Sequence, residues 1–179
     1  MFHLKINDQI DLKSLEKNDA KELFNVVDHE RDYLRKWLPW VDSMKHYTDY
    51  EPIIEMWLKQ FTMHDGIQAG ILHNNKLIGM IGFHGIDWTN KKTSIGYWLS
   101  EGYQGKGIVT EAVKAFIGIA FNEYKLNRIE IMCGVKNEKS KRIPERLGFT
   151  LEGTMRDAEY LYNHFHDCYL YSLLSREWN

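Results

Sequence analysis

The sequence is poor in cysteine, in proline and in long apolar runs, and each shortage closes a class of explanation. Its two cysteines, Cys133 and Cys168, belong to no C-x-x-C pair, so zinc-ribbon and thioredoxin-like readings have no support. Each reads as a small buried apolar residue in a strand, with a catalytic thiol as the alternative. Three prolines leave no room for a Pro-rich linker. No segment approaches the ~20 apolar residues of a membrane-spanning helix. The opening Met1-Phe2-His3-Leu4-Lys5-Ile6 lacks the apolar run of a signal peptide. A cytoplasmic protein outside any membrane is the expectation. Net charge is −2 with no block of Lys or Arg, which argues against a nucleic-acid partner. The eight histidines show no H-x-x-x-H spacing on a helix, so no metal is expected.

What is present is ordinary globular material: 179 residues, 44% apolar and 27% charged, a usual size for one domain over residues 1–179. Ile10, Leu12 and Ser14 alternate as a first strand does. Asn18 or Asp19 can cap a helix running to about Asp28. Tyr33, Trp37 and Trp40 then cluster before Pro39 and just beyond it, either as core or as the wall of an acceptor groove. Thr48 and Glu51 have the spacing of a capping box for a helix from Asp49 to about His64. Its stripe of Tyr50, Ile53, Ile54, Trp57, Leu58 and Phe61 reads as a core face.

Strands follow at Ile67–His73, Leu77–Ile86 and Thr93–Leu99, with turns so short that an antiparallel meander is implied. A helix from Gly107 to Tyr124, a strand from Arg128 to Val135, a short helix from Asn137 to Leu147 and two final strands complete the chain. The order β-α-α-β-β-β-α-β-α-β-β is an α/β (α+β) sandwich.

Tyr97 to Ala112 carries the chemistry. Gln104, Gly105, Lys106, Gly107, Ile108, Val109 and Thr110 join a strand to a helix start. The first helical turn has backbone N–H groups without internal partners, and the helix dipole adds positive potential there. Glycines at 105 and 107 permit positive φ and close approach of a ligand. Together these make an anion site suited to a pyrophosphate. The segment is neither a nucleotide P-loop nor G-x-G-x-x-G.

These residues resemble the cofactor motif [QR]-x-x-G-x-[GA] of the GCN5-related N-acetyltransferases (GNAT), with Val109 in place of the usual small residue. Asn137, the Leu147-Gly148-Phe149 helix ending and the tail Ala158-Glu159-Tyr160 with His166-Asp167 are similar to one branch, the ribosomal-protein N-terminal acetyltransferases. The resemblance implies a mostly antiparallel seven-stranded sheet flanked by helices, splayed between its fourth and fifth strands. It implies acetyl-CoA as cosubstrate. Tyr97, Trp98 and Leu99 would offer backbone groups to pantetheine and thioester, residues 105–110 would hold the pyrophosphate, and Asn137 would reach the cofactor arm. Many members place an acidic tyrosine seven residues after that asparagine, where this chain has Pro144. Ser140 stands where the ribosomal-protein branch is thought to use serine, and its alternative role is a helix-start residue.

Glu159 matches the base proposed for that branch; Asp157, two residues away, is expected on its side of the strand, and Glu152 is a further carboxylate of the same strand. The base need not be strong. An α-amine with a pKa of about 7.7–8.0 is roughly 10–20% neutral at pH 7, against roughly 0.04% for a lysine at about 10.4. The acceptor expected is the N-terminal amine of a ribosomal protein. A polyamine or aminoglycoside, or a non-catalytic acyl-CoA sensor, stays open beside it. The long last strands suit a homodimer.

Overall fold

The computed structural model describes residues 1–178. One sheet of eight strands forms the frame: β1 (His3–Lys5), β2 (Ile10–Lys13), β3 (Gln68–His73), β4 (Lys76–Asp87), β5 (Lys92–Leu99), β6 (Arg128–Gly134), β7 (Thr150–Leu161) and β8 (His164–Leu174). Their spatial order is β1-β2-β3-β4-β5-β6-β8-β7. Every neighbouring pair is antiparallel except β5 and β6. The fold is thus the expected mixed, mostly antiparallel α/β class with one strand more than expected. The extra strand is β1, whose Phe2, Leu4 and Ile6 lay half-buried side chains on the core. Three residues are too few to stand out as an alternating pattern.

Five α-helices pack on the sheet: α1 (Ala20–His29), α2 (Arg31–Leu34), α3 (Glu51–Thr62), α4 (Ile108–Gly118) and α5 (Glu138–Arg146). Alternation along the strands divides their side chains between two cores. Ile81 and Phe83 of β4 meet Ala112, Val113, Phe116 and Ile117 of α4. Met80 and Leu77 belong with Leu23, Val27, Leu34 and Ile54 from α1 to α3.

Local chemistry explains where elements end. Asn74 and Asn75 both adopt positive φ (50° and 64°) between β3 and β4, a conformation asparagine tolerates better than most residues and one that matches strand twist. Gly148 at φ 79° ends α5, with Phe149 N–H donating to Pro144 O and Gly148 N–H to Glu145 O, a Schellman ending.

Two caps differ from expectation. Asp19 turns its carboxylate back to Glu16 N–H rather than capping forward. The Thr48/Glu51 capping box does not form. A 3-10 turn at Tyr47–Asp49 leads into α3, His46 and Asp49 cap that turn, and Glu51 pairs with Lys17 at 3.1 Å. The helix expected to reach Tyr124 widens to a π-turn at Ile119–Glu123.

Candidate functional site

β5 and β6 hold the key to the site. They pair in parallel register only at Lys92–Arg128, Thr93–Ile129 and Ser94–Glu130. Beyond these the strands diverge, while β5 stays paired to β4 as far as Leu99 and β6 to β8 as far as Gly134. The edge of β5 from Ile95 to Leu99 therefore faces a gap rather than a strand. That gap opens into a cavity of about 990 Å³. Tyr97, Trp98, Leu99, Gln104, Gly105, Gly107, Ile108, Val109, Thr110, Asn137, Ser140 and Glu159 all line it. Lys106 does not: it borders an adjacent cavity of about 430 Å³, its Nζ 5.2 Å from the Tyr103 ring.

At one end lies the glycine turn. Gly105 and Gly107 both have φ 75°, and no atom stands within 4 Å of where a Cβ would project from either. Among the described residues, the N–H groups of Ile108, Val109 and Thr110 bond to no acceptor. Thr110 has a buried Oγ1 that accepts from Arg146 Nη1 at 3.0 Å, which brings a guanidinium beside the turn and leaves the O–H to donate. Arg146 was missed as a site residue because it stands 36 positions downstream of Thr110. Gln104 donates through Nε2 to Tyr33 Oη and leaves Oε1 buried with no partner, an acceptor awaiting an N–H.

In the middle, α5 meets β5. Asn137 caps α5 by accepting Ser140 N–H at 3.3 Å through Oδ1. Pro144 has no N–H to offer Ser140 O, and the phenol of Tyr97 takes that carbonyl at 3.0 Å instead. Ser140 Oγ lies 3.5 Å from Tyr97 Oη. Burial lifts the Tyr97 phenol well above its usual range and pushes the nearby Cys133 thiol up to about 12, so both stay protonated near neutral pH. The side chain of Tyr97 was not foreseen as the partner of Ser140.

At the far end, Glu159 and His166 are cross-strand partners on β7 and β8, and Glu159 Oε2 lies 2.8 Å from His166 Nε2. Their side chains are 27% and 14% exposed. The ring of His166 lies over Gly134. A register shift in β7 between Met155 and Glu159 brings the carboxylate to this place, which simple alternation along the strand does not reveal. Asp157 and Glu152 do not join it. Asp157 sits in the shift at φ 49° with its N–H bonded to Asp167, and Glu152 pairs with Arg128 at 2.6 Å on a different part of the sheet. Tyr33, Trp37 and Trp40 are half-buried and line the cavity, as do Ile53, Met56 and Trp57 of α3. Tyr33 and Trp40 pack against the α1–α3 core as well, so the cluster belongs to the core and to the cavity wall at once. Tyr162 fixes that wall by donating to Leu38 O at 2.6 Å.

Residues 9–150 match the family model for an acetyltransferase (GNAT) domain. The chain belongs to the GNAT acetyltransferase family. It is 42% identical to YdaF of Bacillus subtilis (strain 168), provisionally named a ribosomal N-acetyltransferase, over 99% of this chain and 98% of that one. It is 30% identical to the ribosomal-protein-serine acetyltransferase of Escherichia coli (strain K12), over 94% of each. A solved microcin C7 self-immunity acetyltransferase, MccE, in complex with acetyl-CoA and AMP, superposes with a TM-score of 0.91 at 32% identity, over 96% of this chain and 95% of that one. This GNAT chain is an N-acetyltransferase with acetyl-CoA as cosubstrate. Its residues fit that molecule: a glycine cradle with free N–H groups, an orphaned Gln104 oxygen and an unpaired strand edge follow one another along one cavity. Among the described residues, no helix is long and apolar enough to cross a membrane.

Proposed function

We propose that this enzyme acetylates the N-terminal α-amine of a ribosomal protein. The observation that carries the reading is the Glu159–His166 pair, set in the same cavity as the open edge of β5 and Ser140. Bound acetyl-CoA supplies an activated acyl group as a thioester. The N–H groups of residues 105–110, with Arg146 beside them, hold the pyrophosphate charge. Asn137 keeps α5 in place through its cap and faces the cofactor arm. Tyr97, Trp98 and Leu99 present backbone groups along the free edge, where a fixed N–H stabilises oxygen charge developing during attack. Glu159, oriented by His166, takes the proton from the incoming amine, directly or through one water. Ser140, held against Tyr97, delivers a proton to the departing sulfur. Burial keeps Cys133 as a thiol, which supports direct attack by the amine over an acyl-cysteine route.

The lining beside Glu159 favours a peptide over a polyamine. It is walled by Trp37, Trp57 and Trp98, and Glu159 is paired to His166, whereas a polycation calls for an acidic cleft. The relatives named for ribosomal N-acetylation point the same way. The test is to supply acetyl-CoA with peptides beginning in Ser or Ala and to follow release of free thiol. Turnover should vanish when the peptide N-terminus is blocked. Turnover of spermidine but of no peptide would refute the reading.

A further inference from the structure

The acceptor side of the cavity has a floor with two gaps. Gly82 of β4 and Gly96 of β5 are direct cross-strand partners. A Cβ at Gly82 would stand 1.8 Å from Gln68 Oε1, and one at Gly96 would stand 2.2 Å from His84 Nε2. Two missing side chains are thus replaced by two polar groups folded over the glycines. Opposed residues in an antiparallel pair have Cα atoms about 4.5–5.5 Å apart, so the amide oxygen and the imidazole stand over neighbouring positions of one sheet face. Both residues line the cavity, among Met80, Trp57 and Trp98.

The hydrogen bonding of the two groups is unequal and complementary. Gln68 Nε2 donates to Phe83 O at 2.8 Å, which fixes the amide and leaves Oε1 as an unused acceptor. The ring of His84 has no hydrogen-bond partner among the described residues; the residue is exposed where it lines the cavity, and partial desolvation of the ring lowers its pKa below the usual imidazole value. A neutral imidazole brings one N–H donor and one acceptor nitrogen. Gly96 also lies just past Ser94, where pairing to β6 stops. The polar pair therefore sits at the root of the gap, beside the strand edge assigned above to the thioester.

We propose that Gln68 and His84 form a subsite for a hydroxyl-bearing first side chain, that of a serine or threonine carrying the acceptor α-amine. The inference rests on the α-amine reading and deepens it. A hydroxyl donates to Gln68 Oε1 and accepts from the His84 N–H at once. An alanine in its place leaves both groups unpaired beneath the acceptor, and polar groups that the bound acceptor cuts off from water without a partner disfavour the complex.

The experiment compares kcat/KM for peptides alike except at the first residue: Ser, Thr, Ala or 2-aminobutyrate. The wild-type protein should prefer Ser over Ala by about tenfold, with aminobutyrate grouped with Ala because it has Thr-like bulk without the hydroxyl. In Gln68→Leu and His84→Phe the Ser peptide should lose more than the Ala peptide, so the ratio falls toward one. CoA affinity by calorimetry reports whether each variant is folded. A wild-type ratio near one overturns the subsite even if neither variant folds, and so does a ratio that survives both substitutions. A wild-type protein that binds CoA and turns over no α-amine peptide overturns the broader reading as well, which separates the two failures.

Discussion

The donor end of the cavity and the acceptor end are made of different material. The donor end is mainly backbone: free N–H groups from Ile108 to Thr110, two glycines at φ 75° and the unpaired edge of β5. Its residues come from two short stretches, 97–110 and 137–149. The end proposed for the acceptor is mainly side chain: Trp37, Trp57, Gln68, His84, Glu159 and His166, brought from five elements and one loop by the sheet topology. A backbone site tolerates sequence change as long as the local conformation survives. A side-chain site alters with every substitution, so one donor can serve many acceptors within one family.

That contrast can be broken by experiment. The largest effect is expected from Gly107→Asp. The variant puts a carboxylate and a strained φ where phosphate charge must sit, and CoA affinity should fall more than about 100-fold by calorimetry. Retained affinity would mean that the donor end is not built on this turn. Glu159→Gln should act at the other end alone. Its turnover should fall by about 10²–10⁴ while CoA affinity stays within about twofold. Raising the pH above about 8, where an α-amine is mostly neutral, should restore part of that loss.

Ser140→Ala and Tyr97→Phe probe the join between the ends. The first should slow turnover by about 10–100-fold. The second leaves Ser140 O without its donor and should cost about 1 kcal/mol of stability, read as a lower Tm. The smallest effect lies outside both ends. The Arg128 guanidinium, with Ser172, holds the Glu152 carboxyl down to about 2. A folded pKa below the unfolded value stabilises the native state above pH of about 4.5, and that stability is lost as pH falls toward about 2. The Glu152 side chain is 37% exposed, so solvent screening limits the contribution to about 0.5–1 kcal/mol. Arg128→Met should flatten the acid limb of a pH–stability curve and leave CoA binding alone.

The same contrast explains what could be read from the sequence. Gln104 to Thr110 is contiguous, and its physical logic is local, so the turn, the helix start and its N–H groups without acceptors were all legible. The Leu147-Gly148-Phe149 ending was legible for the same reason, since only glycine accepts φ 79° there without strain. Glu159 could be named, but not its partner His166, because their contact depends on strand register and on the shift in β7. Gln68 and His84 carried no signal, as their meaning comes from glycines 14 and 12 positions further along the chain. The aromatic cluster had to stay ambiguous, because one residue can face a core with one edge and a cavity with the other. The α3 cap failed for a simpler cause. Two capping pairs overlap in Lys45–Glu51, and the ion pair with Lys17 draws Glu51 away from its own backbone.

Parallel pairing of β5 and β6 stops after three rungs. A sheet cut in this way is two plates joined by a short seam, with one plate from β1 to β5 and the other from β6 to β8. Whatever lies in the cut acts as a splint between them. A ligand that binds only the native state raises stability as RT ln(1 + [L]/Kd), so the cosubstrate becomes a structural member of the sheet while it is held.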